Sequence, residues 1–367
     1  MIRVLHVFNQ LNQGGIEHVV INLMKNMDRS EIEFHFALMS GKEGLLDDEV
    51  RRLGGHIHYF TSGKKGVINV GKNLSNIIDK YGPFEVVHSH AYFFSGYILY
   101  IAKMKGVPVR IAHAHDTYKG EKQSTKRRIY ERLMQKLINK YATYKFGVSS
   151  DTCKHVFGSI DKNTFVINNG INLDAYVFSQ EQRDILRKQL DIANDEYLLC
   201  NIGRFEDQKD HNYLVDLFNQ LLKADPQFKL LLVGNGSLKT SIINKVKKFG
   251  LTNKVIFLEN RNDINKLLWA SDGFILPSKY EGLPVVLVEA QATGITCFVS
   301  KNITSEIILN QNVYQLDKTY VNNWITTIEK HKDDERLSKL NNELIQKFDI
   351  KKIANFVQEK YTSNLKI

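Results

Sequence analysis

Cysteine is scarce in this chain, long apolar runs are missing, and two common phosphate- and metal-binding patterns are absent. Each shortage removes a class of protein. The three cysteines, Cys153, Cys200 and Cys297, are far apart and odd in number. That excludes a disulfide framework and a zinc ribbon, and fits a reducing cytoplasm. No apolar stretch approaches the ~20 residues that span a bilayer. The longest, residues 92–102, is closed by Lys103 and is expected to form a buried helix. The opening segment, residues 2–8, is strand-like and too short for a signal peptide. The Gly-x-Gly-x-x-Gly fingerprint is missing, which argues against a dinucleotide site. No Asp-x-Asp is present to hold a divalent metal, and no internal repeat or low-complexity segment occurs.

What is present reads as an α/β protein of two domains. The 367 residues are 43% hydrophobic and 25% charged, ordinary globular values and comfortable for two cores. Strand-like runs near residues 3–8, 33–39, 56–60, 86–88, 109–113 and 146–148 alternate with helical patterns. The second half repeats this near 198–202, 229–233, 255–258, 273–276 and 296–299. Such alternation predicts two doubly wound parallel sheets, with ligands beyond the carboxyl ends of the strands and one cleft where the sheets face. Asn169-Gly170-Ile171-Asn172 reads as a turn opening the linker. The expected domains are 1–172 and 173–349, followed by a helical segment over 350–367.

Glu281 and Glu289 lie eight residues apart in Phe274-Ile-Leu-Pro-Ser-Lys-Tyr-Glu-Gly-Leu-Pro-Val-Val-Leu-Val-Glu-Ala290. A short buried strand should end at Pro277-Ser278. A helix should follow, with Pro284 in its first turn and Gly294 as its left-handed stop. Glu281 then precedes the helix, and Glu289 lies roughly 7–8 Å along it at ~1.5 Å per residue. Both carboxylates can face one site floored by the free N–H groups of Gly282 and Leu283, a floor that favours phosphate.

These residues resemble the Glu-x7-Glu signature of glycosyltransferase family 4, retaining nucleotide-sugar enzymes of GT-B fold. The resemblance implies that Glu281 contacts hydroxyls of the donor sugar and that Glu289 holds the ribose diol, since a carboxylate accepts from neighbouring hydroxyls. The family often has Gly-x-Pro after this helix, whereas Gly294-Ile295-Thr296 stands here, so Thr296 is expected to mark strand entry. In the family the last helix crosses back onto the N-terminal, acceptor-side domain, and the C-terminal domain binds the nucleotide sugar. Arg204 and Lys209 stand on a loop after a strand, as in the family's Gly-Arg…Lys-Gly element, with Asp210 in place of the second Gly. They would neutralise the departing diphosphate. With no Asp-x-Asp, these cations and the helix N-terminus near Gly282 are expected to meet the leaving-group charge, so neither metal nor cofactor is required.

Gly14-Gly15-Ile16-Glu17 resembles the family's Gly-Gly-x-Glu, in which the glycines lie against the donor diphosphate; Gly15 is the expected contact. Three His-x-His pairs occur: His56/His58, His88/His90 and His113/His115. On a strand each pair shares a face and could chelate a metal. Glu85-Val-Val-His-Ser-His90 and Gly106-Val-Pro-Val-Arg-Ile-Ala-His-Ala-His-Asp-Thr117 resemble stretches of exopolysaccharide and capsule glycosyltransferases. The family's histidine at the position of His115 reaches the donor sugar near the transfer point; His56 and His58 read as structural.

The formal net charge is +10, and residues 119–145 hold nine basic against two acidic residues. Ile129, Leu133, Leu137 and Tyr141 recur every four residues as an apolar stripe, widened by Tyr130, Met134 and Ile138. Arg128, Arg132, Lys136 and Lys140 lie on or beside the opposite arc. Such a helix can pack on its own domain and still present its charges to an anionic membrane. No zinc finger, RNA-recognition signature or stacking array accompanies the patch, which excludes nucleic acid. The expectation is a cytoplasmic, metal-independent, retaining hexosyltransferase, peripheral on the inner membrane face. It would move a hexose or N-acetylhexosamine from a UDP-sugar to a saccharide acceptor, lipid-linked, in cell-surface polysaccharide assembly. Two alternatives stand beside it: a nucleotide-sugar epimerase of the same fold, and a metal-dependent hydrolase using the His-x-His pairs. The second wants further histidines on later strands, where only His211 and His331 occur.

Overall fold

The computed structural model describes residues 1–12, 15–61, 66–115, 124–363 and 365. The chain divides into two compact units, residues 1–171 with 347–367, and residues 172–346. The first is built on β1 (Ile2–Phe8), β2 (Ile32–Leu38), β3 (His56–Tyr59), β4 (Val86–Ser89), β5 (Val109–Ala114), β6 (Tyr144–Gly147) and β7 (Thr164–Val166). They form one parallel sheet in the order β3-β2-β1-β4-β5-β6-β7. The second unit has β8 (Tyr197–Ile202), β9 (Phe228–Val233), β10 (Val255–Leu258), β11 (Gly273–Leu276), β12 (Thr296–Ser300) and β13 (Val313–Leu316). Its order, β10-β9-β8-β11-β12-β13, is that of a doubly wound nucleotide-binding sheet, again all parallel. Strand order reverses beside β1/β4 in one sheet and β8/β11 in the other, and ligands of such sheets sit beyond those strand ends.

Central strands are buried on both faces and therefore read as continuous apolar runs. In β9, Phe-Lys-Leu-Leu-Leu-Val, only Lys229 escapes full burial. Two strands were not expected from sequence, β7 and β13, and both are sheet edges. Edge strands keep one side wet: Val166 is exposed, and β13 carries Tyr314 and Gln315 between its apolar ends. Thr296 opens β12, as its place after Gly294 predicts. The apolar run at 92–102 forms a short 3-10 turn, Tyr92–Phe94, and a helix, Ser95–Met104, with Ile98, Leu99 and Ala102 fully buried. Helix Ile350–Thr362 belongs to the first unit. Its Ile350, Ile353, Ala354, Val357 and Tyr361 join the core of Val4, Phe34, Phe36 and Phe146.

The start of β11 is fixed by charge. Asp272 accepts from Arg183 (2.5 Å), from Arg187 (2.9 Å) and from the Leu198 N–H of β8 (2.7 Å). The same arginines, with Arg336, donate to carbonyls at the end of helix Ile264–Ala270, where the unsatisfied C=O groups and the negative end of the dipole lie. Burial and the nearby Arg183 charge together lower the Arg336 pKa to about 10, against the opposing pull of Asp272.

The basic segment differs from its expectation. Ser124 caps helix Thr125–Tyr141, whose buried side is Tyr130, Met134, Leu137, Ile138 and Tyr141. Ile129 and Leu133 are instead 62% and 53% exposed. A strict four-residue spacing turns ~40° further round a 3.6-residue helix at each step, so the stripe from 129 to 141 winds from solvent into the core. Lys126, Arg128, Arg132, Lys136 and Lys140 are exposed on the face that carries Ile129 and Leu133. Lys145 is buried and bound to Asp161 (2.7 Å), so it takes no part. Lys119 and Lys122 lie outside the described residues. Among the described residues, no helix is long and apolar enough to cross a membrane.

Candidate active site

The second unit carries six of the eight expected residues, five on the loops after β8 and β11, the reversal point of its sheet, and Glu289 on the helix that follows β11. Past β8 the chain runs through Gly203 and Arg204 to a 3-10 turn, Asp207–Lys209, and helix His211–Ala224. A Cβ on Gly203 would sit 3.0 Å from Lys209 Cε, so the glycine lets the lysine side chain lie across the backbone. Asp210, where the resemblance places a glycine, takes φ +51° itself. Asp tolerates that left-handed region better than most residues. Its carboxylate accepts from the Tyr213 N–H (3.3 Å) and pairs with Lys318, so the loop keeps its turn without the glycine.

Lys209 reaches across to Glu281 at 2.6 Å, with the two side chains only 14% and 6% exposed. Ser278 Oγ donates to the same carboxylate oxygen (2.6 Å), and Gln208 Nε2 to the other (3.3 Å). Lys279 N–H to Gln208 C=O (2.8 Å) joins the two loops through their backbones. Glu281 is therefore held rigidly, as a carboxylate must be to meet a substrate in one geometry. Arg204 is exposed and donates no side-chain hydrogen bond among the described residues.

Helix Val285–Ala292 begins one residue later than the sequence suggests: Pro284 is its N-cap, with ψ 95°, rather than part of its first turn. Gly294 stops it at φ +71°. Glu289 is the fifth residue, and Tyr176 donates to it at 2.7 Å. Burial raises the Glu289 pKa above the usual carboxylate value, and the phenol's hydrogen bond opposes that rise. The N–H groups of Gly282 and Leu283 have no hydrogen-bond partner among the described residues. They remain open at the helix start, as an anion site requires.

Sequence reasoning missed Tyr176 and Gln208. Tyr176 sits on the 3-10 turn Leu173–Tyr176, which is tied down by Asn265 to Ala175 C=O (2.7 Å) and Trp269 to Tyr176 C=O (3.3 Å). No local pattern announces it. Ser278 lies inside the quoted motif, and its hydroxyl at Glu281 minus three was the available signal.

His115 and Gly15 belong to the first unit. Gly15 opens helix Gly15–Asn26, with Glu17 in its first turn; Gly14 lies outside the described residues, as do Asp116 and Thr117. His115 follows β5, and its Nε2 contacts His90 Nδ1 at 2.8 Å. His6, a residue the sequence reading did not single out, joins them: its Nδ1 contacts His90 Nε2 at 3.0 Å. Among the described residues, three sets bring one ligand atom from each member within 4.8 Å of the others: His6/His88/His90, His90/His113/His115 and Glu33/His35/His56. His58 stacks on Tyr81, ring centres 4.1 Å apart. Burial pushes the pKa of His6 and of His115 down to about 3, and those of His88, His90 and His113 well below the usual value. These rings are neutral at neutral pH.

Residues 13–175 match the model of Glycosyltransferase Family 4, and residues 182–348 that of Glycosyl transferases group 1. The putative glycosyltransferase EpsF of Bacillus subtilis (strain 168) is 34% identical over 309 residues, 83% of this chain and 80% of that protein. The capsular polysaccharide biosynthesis glycosyltransferase CapH of Staphylococcus aureus is 28% identical over 99% of both chains. Among solved structures, Anabaena Alr3699/HepE in complex with UDP superposes with a TM-score of 0.82 at 20% identity, covering 99% of this chain and 100% of that one.

Proposed function

The chain belongs to glycosyltransferase family 4 and has the GT-B fold, and from that premise we propose a retaining hexosyltransferase using a UDP-sugar. The observation that carries this reading is Glu281, clamped by Lys209, Ser278 and Gln208 beside the open N–H groups of Gly282 and Leu283. A fixed carboxylate beside an anion floor suits a sugar joined to a diphosphate. Glu281 takes hydroxyls of the hexose or N-acetylhexosamine, and Glu289 takes the ribose diol. Arg204, Lys209 and the start of helix Val285–Ala292 meet the charge of the departing diphosphate. The acceptor hydroxyl attacks on the face from which the diphosphate leaves, and a phosphate oxygen takes its proton. UDP as the nucleotide is supported by the ligand named for the HepE structure. Cell-surface polysaccharide assembly is supported by CapH.

Calorimetry with a panel of nucleotide sugars, then a hydrolysis and transfer assay on the best binder, tests the reading. The expected result is UDP-sugar binding and transfer that survives excess EDTA. Activity lost with EDTA and regained with Mg²⁺ or Mn²⁺ would overturn the metal-free arrangement. Failure of every nucleotide sugar to bind would overturn the transfer reading itself.

The acceptor is lipid-linked in this proposal, reached from the membrane surface by helix Thr125–Tyr141. Five exposed cations surround Ile129 and Leu133, which can enter the headgroup region while the charges meet anionic lipid. Each cation contributes on the order of 1 kcal/mol near such a surface. Co-sedimentation with phosphatidylserine-containing vesicles should occur at low salt and decline as salt rises. Replacing Ile129 and Leu133 together with Glu should weaken it at least about tenfold, because fully burying each side chain is worth roughly 1.5–3 kcal/mol. Neither side chain is in the core, so stability should be unchanged. Binding absent at low salt would leave the helix only its packing role.

A further inference from the structure

Five imidazoles and one phenol in the first unit are linked end to end. From His115 Nε2 the chain passes to His90 Nδ1 (2.8 Å), from His90 Nε2 to His6 Nδ1 (3.0 Å), and from His6 Nε2 to the Tyr361 hydroxyl (3.4 Å). It continues from that hydroxyl to His88 Nδ1 (2.8 Å) and from His88 Nε2 to His113 Nδ1 (3.2 Å). The two terminal atoms, His115 Nδ1 and His113 Nε2, are buried and have no hydrogen-bond partner among the described residues. They belong to rings stacked with centres 3.9 Å apart, so the chain returns almost to its start.

The proton count constrains this chain. A neutral imidazole has one donor and one acceptor, and a phenol has one donor. Five rings and Tyr361 hold six such protons, and the five links use five. Buried Tyr361 has no other hydroxyl partner among the described residues, so its O–H donates within the chain; the one proton left then sits at a free end, which is an N–H while the other is a lone pair. Every ring is entered through Nδ1 and left through Nε2, so all five histidines must share one tautomer. Hydroxyl donors make the shorter hydrogen bonds, and 3.4 Å lies beyond the usual range of about 2.7–3.2 Å for a nitrogen donor to oxygen, so the strong donation belongs to the short contact. Tyr361 therefore donates along its 2.8 Å contact to His88 Nδ1 and accepts along the 3.4 Å contact from His6 Nε2. That sense makes every ring Nε2–H. It leaves His113 with a free N–H and His115 with a bare Nδ1.

We propose that His6, His88, His90, His113 and Tyr361 form one tautomeric unit that positions His115, holding its Nδ1 as an acceptor for a ligand hydroxyl. Tyr361 sets the sense of the whole chain from helix Ile350–Thr362, and which ring nitrogen carries the proton decides what His115 can do. A hydroxyl, donor and acceptor at once, suits an unpartnered lone pair beside an unpartnered N–H. A cation held by His90, His113 and His115 would need lone pairs that the intact chain does not offer together. The tautomer lock stands without any assumption about the reaction; that the hydroxyl is one of the donor sugar rests on the proposed transfer.

Long-range ¹H–¹⁵N correlation on the full chain labelled with ¹⁵N-histidine reads each ring nitrogen directly. All five histidines should show a protonated Nε2 and a bare Nδ1. In Tyr361→Phe the two half-chains lose the group that chooses their sense, so all five histidines should show both tautomers, with circular dichroism confirming the fold. UDP-glucose should shift the His115 Nδ1 signal, and UDP alone should not. Mixed tautomers in the unaltered protein would overturn the unit whether or not the variant folds. So would a set of signals that Zn²⁺ alone converts to metal-bound nitrogens. An unmoved His115 Nδ1 with UDP-glucose bound would overturn the hydroxyl assignment, while the transfer reading is decided separately by its own assay.

Discussion

Glu281→Ala should lower kcat for sugar transfer by about 10²–10³-fold, the usual loss for one preorganised transition-state contact, without weakening free UDP. In the proposed arrangement the carboxylate faces the sugar and its contacts strengthen as the ring flattens, so the loss should appear in turnover more than in binding. Removing it also frees Lys209 from its 2.6 Å pairing, and a freed cation can only help a diphosphate. Glu289→Ala should behave differently. On the same proposal it removes the ribose contact shared by UDP and UDP-sugar, so both should bind more weakly. Calorimetry with the two ligands beside a transfer assay separates these roles. Equal loss of UDP affinity in both variants would show that Glu281 does not face the sugar alone. Lys209→Ala tests the clamp from its other side. A lost hydrogen bond to a charged group costs about 1.5–3 kcal/mol, and here diphosphate affinity and Glu281 placement should suffer together.

Asp272→Ala should destabilise the protein by about 3–5 kcal/mol, the cost of leaving a buried charge without its partner. Arg183 and Arg187 each lose their counter-charge, and the nearby Arg336 loses the one carboxylate that favours its charge. The Leu198 N–H of β8 loses its acceptor as well. Asp272→Asn should cost less, since an amide oxygen can still accept from Leu198. Urea denaturation gives the number, and a shift below ~1 kcal/mol would mean that the helix-end carbonyls alone satisfy the three guanidiniums. The effect also reaches the site, because Asp272 anchors the strands whose far ends carry Lys209 and Glu281.

The interior of both sheets was legible from sequence because strands buried on two faces carry their own apolar signature. Edge strands β7 and β13 lack it, and neither was read. The expectations placed on Glu281, Glu289, Arg204 and Lys209 were legible because nucleotide-sugar chemistry would impose a local spacing. Their supports were not: Tyr176 meets Glu289 across 113 positions, and Gln208 meets Glu281 across 73. Tyr361 meets His6 across 355. No window of sequence contains such pairs. The basic helix failed for another reason. A four-residue repeat reads as one face, yet over twelve residues it drifts by more than a quarter turn, and Ile129 lies in solvent.

The return of helix Ile350–Thr362 to the first core orders events during synthesis. Residues 172–346 are contiguous and hold their own sheet and core, so they can fold as they leave the ribosome. The unit whose residues emerge first must wait with an uncovered apolar surface along β1, β2 and helix Gly15–Asn26 until residues 350–361 arrive to cover it. The part translated earliest is therefore the part completed latest. In that interval a nascent chain presents the surface that a chaperone would hold.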